Sequence, residues 1–560
     1  MFSAAVCGFF LGVSWLSGHH QIPIFMTLAM VGVWAFYLIR EGKVNWNVLA
    51  MVGVFAVFLA LTSALQVLPA YEYGHLARRW VGAPEPLGWK DAVPYTVHQE
   101  HDLGLSTLFG LVVPGIHKEA DPYIGFVILS LAVLGVALWW SDIRVRVFST
   151  LALGGLFLSF GHQNIFHGLL YAVLPMFEKA RAPAMSAAVF NFGVAVLAAF
   201  GFDGLRERRD LVWLRRVALW MAWAGAAMLL LLLAVMMSKQ LRFDYDDRIV
   251  LVAIVGLLVS ALYLGYYRGN LGITSLGSVC LLVMLMELGN STGYAYVHGL
   301  DKNRAIYLNK YWENQDILQW LRRQPGSSRM QIDSREIPFN YGDWYELDVY
   351  GGYLSSLPES LVRLGLDGER TRMLYGVKYW IGRGPRGADH LDVFTARSGL
   401  KIYKSTNAFP RVWSVHRAVA IGSENQISPT MQDSGFDLRH VAFFLGETPK
   451  LSTCAAEDQT TLVRSDFNTV VIQADMQCRG LVVLSDNFYP GWTATVDGQP
   501  ARIWEAYTAI RGVEVEPGSH RIEMHYRPLT VRVGAFMLLL SVLGLFGIAW
   551  WEGKRSREAI

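Results

Sequence analysis

The stretch from Leu481 to Trp550 reads LVVLSDNFYPGWTATVDGQPARIWEAYTAIRGVEVEPGSHRIEMHYRPLTVRVGAFMLLLSVLGLFGIAW, and its physical character changes once, at Pro528. Before that proline, short β-rich runs at Leu481 to Ser485, Thr493 to Val496, Ala501 to Glu505, Ile510 to Val515 and His520 to Tyr526 are separated by Tyr489-Pro490-Gly491, Asp497-Gly498 and Pro517-Gly518. Turn residues at that spacing predict antiparallel strands, and Asp-Gly between two such runs predicts a hairpin. The Cys454 to Gln473 region is expected to add two strands to a sandwich. After Pro528, Leu529 to Trp550 is apolar for the roughly 20 residues a helix needs to cross a bilayer. A folded aqueous β-domain is therefore tied directly to a membrane span.

Working outward, nine more apolar runs fall near Met1 to Ser17, Ile22 to Ile39, Val48 to Gln66, Tyr123 to Trp140, Val145 to Phe160, Ala184 to Phe202, Leu214 to Met237, Ile249 to Tyr267 and Leu271 to Leu288. Between the last of these and Leu529 lies the polar block Gly289 to Pro528, in which Ile317 to Arg323 reads as helix and Met330 to Ile332, Lys401 to Tyr403 and Val412 to Val415 read as strands. The expected fold is an α-helical polytopic membrane protein of about ten transmembrane helices with a large extracytoplasmic α+β, sandwich-containing domain. Its expected divisions are a helical domain over 1–288, a mixed α/β region over 289–410, a sandwich-like domain over 411–528, a C-terminal span over 529–550 and a cytoplasmic tail over 551–560.

Composition agrees with this class. Of the 560 residues 53% are hydrophobic and 17% charged, against roughly 25% charged in soluble domains. The net charge of +3 is too small to point to a nucleic-acid partner. Lys and Arg in the short loops cluster at Arg40 and Lys43, Arg144 and Arg146, Arg206 to Arg216, Arg268, and Lys554 to Arg557. By the positive-inside rule these loops and both termini are cytoplasmic, and the polar block and the loops Val67 to Pro122 and Gly161 to Pro183 are outside. Cys7 and Cys280 lie in apolar runs. Cys454 and Cys478 lie in the outer block, where an oxidising compartment favours a disulfide between them. The first run starts at Met1 with no basic residue before it and reaches only about 26 Å. It reads as a helix lacking its beginning, not as a signal peptide, and the expectation is a chain without the first spans of a longer parent.

Several motifs resemble the bacterial YfhO-type membrane protein family, which is grouped with the GT-C glycosyltransferases. They are the Leu484 to Pro528 segment, Gly18-His19-His20-Gln21 after a span, Gln66 to Glu72 (QVLPAYE), Arg181-Ala182-Pro183 before a span, and Asn407 to Arg411 (NAFPR). The resemblance covers essentially the whole chain. It implies a polyprenyl-phosphate-sugar donor, an envelope polymer or lipid as acceptor, and residence in the bacterial cytoplasmic membrane. Two departures stand out: the family's first outer loop, where GT-C enzymes keep a catalytic carboxylate, has no counterpart, and Met185 stands where the Arg-x-Pro motif is usually followed by a second Arg.

Transfer from a lipid-linked sugar phosphate needs a base for the acceptor hydroxyl and a cation for the departing phosphate. The candidate carboxylates are Glu100, Asp102 and Glu287. Candidates for the donor phosphate are Arg78 and Arg181, with Arg79 and Lys179 behind them, and His19 and His162, each after a glycine at the outer end of a span. Arg suits phosphate because its planar fork binds two oxygens at once. Trp492, Trp504, Tyr507 and Asp486, with Tyr489 and Asp497, are candidates for glycan contact. His98-Gln99-Glu100-His101-Asp102 is a weak site for a divalent cation; no other cofactor is indicated.

The first functional reading is a YfhO-like GT-C-type glycosyltransferase that lacks its first outer loop and is expected to be inactive alone. The second is a non-enzymatic envelope protein that binds glycan or protein. A transporter ranks below both, because the spans lack charged or broken mid-membrane helices. Topology is the expectation most directly tested. A single cysteine introduced at Ser327 should react with an impermeant reagent in intact cells, and labelling that requires lysis would invert the orientation.

Overall fold

The structure, a computed structural model, describes residues 1–41, 46–115, 121–174, 177–238, 246–300, 306–326, 328–454 and 457–558. Lys43 and Ser327 lie outside these residues. The chain forms two compact units, the first made of Met1–Ser63, Ala92–Leu300 and Ser541–Ile560 and the second of Ala64–Asp91 and Asp301–Leu540.

A helix occupies each of the ten apolar runs: α1 (Phe2–Trp15), α2 (Gln21–Glu41), α3 (Trp46–Leu76), α4 (Phe126–Trp139), α5 (Ile143–Ser159), α6 (Ala187–Arg206), α7 (Leu211–Ser238), α8 (Asp246–Tyr267), α9 (Ile273–Leu300) and α10 (Leu529–Glu558). Among the described residues six of them, α2, α3, α6, α7, α8 and α10, contain stretches long and apolar enough to cross a membrane. The apolar helices Phe2–Trp15, Phe126–Trp139 and Ile273–Gly289 are shorter. At 1.5 Å per residue a 14-residue helix reaches only about 21 Å, and α5 carries Arg144 and Arg146 in its first turn.

Small residues bring α4, α5 and α6 together. A Cβ on Gly135 of α4 would run into the carbonyl of Leu197, and one on Gly201 of α6 would run into the carbonyl of Leu131. A Cβ on Gly193 would lie 2.9 Å from that of Ala152 on α5. Such contacts let apolar helices associate by close packing where lipid supplies no hydrophobic drive. Two polar pairs cross between helices inside this unit, Ser130 with Tyr263 at 2.8 Å and Ser260 with the carbonyl of Ala218 at 2.7 Å.

The second unit holds two sheet systems. In the first, β1 (Arg329–Ile332), β2 (Val377–Gly382), β3 (His390–Thr395) and β4 (Lys401–Ser405) lie in the order β1-β2-β4-β3, with β1 and β2 parallel. The second comprises β5 (Val412–Val415), β6 (Gln459–Ser465), β7 (Thr469–Met476), β8 (Gly480–Asn487), β9 (Trp492–Val496), β10 (Gln499–Ala501), β11 (Ile503–Ala506), β12 (Ile510–Val515) and β13 (Gly518–Tyr526). These make a five-stranded sheet in the order β6-β7-β13-β9-β10 and a four-stranded sheet in the order β11-β12-β8-β5.

The two sheets share one core: Val482, Leu484, Val513 and Val515 from the four-stranded sheet meet Val470, Ile472, Ile522 and Met524 from the five-stranded one. Leu481 and Val483 alternate to the opposite face and pack with Leu361, Leu374, Phe443 and Trp504. That sheet is buried on both faces, which accounts for the unbroken apolar run Leu481 to Leu484. The hairpin at Asp497-Gly498 forms with both residues at positive φ, 49° and 80°, as a type I′ turn requires.

One expectation changes. The run Ala501 to Glu505 is not one strand: β10 and β11 flank Arg502 and belong to different sheets. The compact units follow boundaries of their own. Ala77–Arg79 pairs antiparallel with Ser356–Pro358, so the segment after α3 belongs with the second unit. The core containing Leu361, Trp413 and Leu481 is continuous across residue 410.

The helix packing is directly testable. Gly201→Val forces a side chain against the Leu131 carbonyl, and overpacking of this kind costs about 1–3 kcal/mol. The melting temperature of the detergent-solubilised chain should fall, whereas Gly154→Val, at a position with open space around it, should leave it nearly unchanged.

Candidate functional site

The first unit gathers chemically active side chains where two interhelical loop segments meet the end of α5. Helix Tyr95–His98 runs into the turn Gln99–His101, after which Asp102 is extended. The amide of Leu103 donates to the carbonyl of Ser159 at 2.9 Å, fixing Asp102 against the α5 terminus. There Gly161, at φ 50°, opens the turn Gly161–Gln163 that carries His162. Asn164 then caps helix Ile165–Val173 by accepting from the Phe166 amide at 2.8 Å.

These constraints bring Asp102 and His162 into a carboxylate–imidazole hydrogen bond through Nδ1, and the His162 amide also donates to Asp102 Oδ2 at 3.3 Å. Asp102 is 8% exposed and His162 39% exposed, so the pair has a buried anchor and an accessible ring. A Cβ at Gly161 would lie 2.5 Å from Asp102 Cβ and 2.9 Å from Pro183 Cγ. Only glycine lets the Asp102 loop and the Arg181-Ala182-Pro183 segment approach this turn so closely.

Behind the pair sits a buried aromatic cluster. His98 and His167 are fully buried with ring centroids 5.1 Å apart, and Tyr95 lies against both. His98 Nε2 lies 3.0 Å from the Glu178 carbonyl, and His167 Nδ1 lies 3.4 Å from the Tyr95 hydroxyl. Burial pushes both imidazoles down, His98 despite its bond to Glu178 and His167 to about 4 with further lowering from His98 and His162. Arg181 is half-buried and close enough to His98 to act on its charge. Lys179 pairs with Glu178 at 3.7 Å.

Other candidates are placed differently. Glu287 is 4% exposed and accepts from the Phe126 and Val127 amides at 2.8 and 3.2 Å. It caps the positive N-terminal end of α4 through both oxygens. Glu100 is exposed in its turn, and His19 is exposed after Gly18, its amide donating to Ser17 Oγ. Arg78 belongs to the second unit, where it pairs with Glu359 at 2.6 Å and Asp91 at 3.5 Å and is raised mainly by its hydrogen bond to Glu359. Arg79 lies on the same short strand. The His98 to Asp102 stretch does not converge on a cation, since His98 turns inward, Glu100 outward and Asp102 to His162.

The glycan candidates each have protein partners. Tyr507 is fully buried with its hydroxyl on the Leu438 carbonyl at 2.7 Å, and Trp504 is buried against Phe444. The Arg511 guanidinium covers Trp492 at 3.8 Å from the ring centre. Tyr489 packs near Tyr73 and Tyr526, and Asp497 holds its turn by binding His520 and the Arg521 amide.

Asp486 accepts from Arg329, Arg411 and Arg511 at 2.5, 2.8 and 3.1 Å. Burial alone would raise its carboxyl, but the three guanidiniums outweigh burial and hold it below the usual carboxylate range. Burial conversely lowers Arg511 to about 10.

Cys454 and Cys478 are joined by a disulfide with Cα atoms 6.8 Å apart. Cys7 and Cys280 are free. Among the described residues, the one His/Cys/Asp/Glu group with metal-ligand chemistry is His416 with these two cysteines, and the disulfide uses both sulfurs. Comparison with protein-family models, with curated proteins and with solved structures found no match.

The buried histidines predict a pH response. The unfolded chain takes up protons near the ordinary imidazole value of about 6.5, whereas folded His167 resists until about 4. Its contribution is therefore complete above pH 6.5 and is lost progressively down to about 4. Between pH 7.5 and 5 the melting temperature of the wild-type chain should fall further than that of His167→Phe; equal falls would remove His167 as a source of acid sensitivity.

Proposed function

We propose that this chain is a YfhO-like, GT-C-type membrane glycosyltransferase that moves a sugar from a polyprenyl-phosphate donor to an envelope polymer or lipid at the outer face of the bacterial cytoplasmic membrane. In this reading the ten helices α1 to α10 all span, both termini are cytoplasmic, and the block Gly289 to Pro528 is extracytoplasmic. The observation that carries the reading is the Asp102–His162 pair with Arg181 in the same group of loops.

The chemistry follows from the pair. Asp102 accepts from His162 Nδ1, which fixes the tautomer and leaves Nε2 as the basic atom of a partly exposed ring. The acceptor hydroxyl attacks the anomeric carbon and gives its proton to Nε2. The anomeric carbon–phosphate oxygen bond breaks with its electron pair going to the phosphate, and Arg181 stabilises that charge. This assignment places the base inside the chain, in a different loop from the one that the family resemblance implies.

A second reading is favoured by a separate observation. A cleft of about 1060 Å³ in the second unit is lined by Asp333, Arg335, Glu336, Trp380, Arg383 and Arg386, among others. A mixed polar and aromatic surface of this size suits a non-enzymatic envelope protein that binds glycan or protein.

The two readings separate on the purified full chain in lipid nanodiscs with radiolabelled polyprenyl-phosphate hexoses. The transferase reading expects turnover that drops about 10²- to 10⁴-fold in His162→Ala and donor binding that weakens in Arg181→Ala. No transfer across the donor panel, with unaltered binding in Arg181→Ala, would leave the binding-protein reading in its place.

A further inference from the structure

The Cys454–Cys478 disulfide has neighbours that a simple staple does not need. His416 lies between β5 and the strand Arg417–Ile421 and places Nδ1 3.5 Å from Cys478 Sγ. Its Nε2 is 2.7 Å from Asp458 Oδ2, and the Asp458 side chain is fully buried. The other Asp458 oxygen accepts from the Gln477 amide at 2.8 Å, so the residue preceding Cys478 is tied to the same carboxylate. Sulfur, imidazole and carboxylate thus stand in line, the arrangement that orients an imidazole toward a reacting sulfur.

The geometry distinguishes the two sulfurs. The ring lies against Cys478, and its Nδ1 also faces the Arg479 carbonyl at 3.3 Å. Arg479 directs its own charge away, to Glu514 at 2.7 Å and Glu516 at 3.3 Å. His416 is in contact with Cys478 Sγ, and Asp458 holds the other nitrogen of its ring. Cys454 and Cys478 are half-buried, and Ser452, Thr453 and Gln477 beside them are exposed.

We propose that Cys454–Cys478 is a thiol–disulfide exchange site in which Cys454 Sγ receives the incoming thiolate and Cys478 Sγ departs, stabilised by His416. The partner is a dithiol. Its first thiolate forms a bond to Cys454 Sγ, the Cys454–Cys478 bond breaks, and the electron pair goes to Cys478 Sγ, which accepts a hydrogen bond from Nδ1–H of a doubly protonated His416 ring held through Nε2–H by Asp458. The partner's second thiolate then attacks the partner sulfur of the mixed disulfide and displaces Cys454. Two electrons pass from the dithiol, which leaves as a disulfide, to the two cysteines. A thiol whose anion is stabilised leaves faster, so the imidazole sets the direction of attack. This proposal holds whether or not the chain transfers sugar.

Regiochemistry tests it. The full chain in detergent is exposed briefly to reduced glutathione, quenched with an alkylating reagent and digested, and the glutathione adduct is located by mass spectrometry. The adduct is expected on Cys454 in about tenfold excess, and His416→Gln should even out the distribution and slow reduction by dithiothreitol about tenfold. An adduct mainly on Cys478, or a distribution and reduction rate unchanged in His416→Gln, would overturn the proposal. The wild-type adduct position decides the matter even if His416→Gln does not fold.

Discussion

The second unit depends on one carboxylate. Asp486, at the end of β8, binds Arg329 from β1, Arg411 from the segment before β5 and Arg511 from β12. Arg329 also reaches the carbonyls of Tyr375 and Ser485, and Arg411 reaches Asp348. The mixed sheet and the sandwich are thereby joined through a buried charge cluster as well as through apolar contact. Removing the carboxylate would leave three guanidiniums facing one another in a poorly solvated space, which is why such a group is far costlier to break than to form.

Around that clamp, the sandwich was the most legible part of the sequence. Asp497-Gly498 and Pro517-Gly518 specify turns through their backbone preferences, so strands β9, β12 and β13 could be bounded within a few residues. The change of sheet at Arg502 was not legible, because a single residue between two short β-rich runs looks the same whether the strand continues or crosses over. The aromatic residues were misleading for a related reason. Trp504 and Tyr507 have the chemistry of a sugar platform, but which face of a strand is covered depends on partners far away, here Phe444 and Leu438.

The first unit shows the same limit for the candidate site. Apolar length located all ten helices, since each run declares itself locally. Asp102 and His162 were each visible as residue types in outer loops, but their pairing rests on the Leu103–Ser159 hydrogen bond and on the space that Gly161 leaves. His167 carried no local signal: it sits on an ordinary apolar helix, and its partners Tyr95 and His98 are about 70 residues earlier. Glu287 was visible as an acid near a helix end, while the amides it satisfies belong to a helix 160 residues before it.

That last connection bears on how the protein is made. The amides of Phe126 and Val127 emerge from the ribosome well before Glu287 does. At about 5 to 20 residues per second, the interval is roughly 10 to 30 seconds. During that time α4 has a helix terminus whose native partner does not yet exist, and water, lipid headgroups or the insertion machinery must serve in its place. The arrival of α9 closes this gap, so the first unit acquires its final hydrogen bonding in the order of synthesis, with its earlier helices held provisional until a later one completes them.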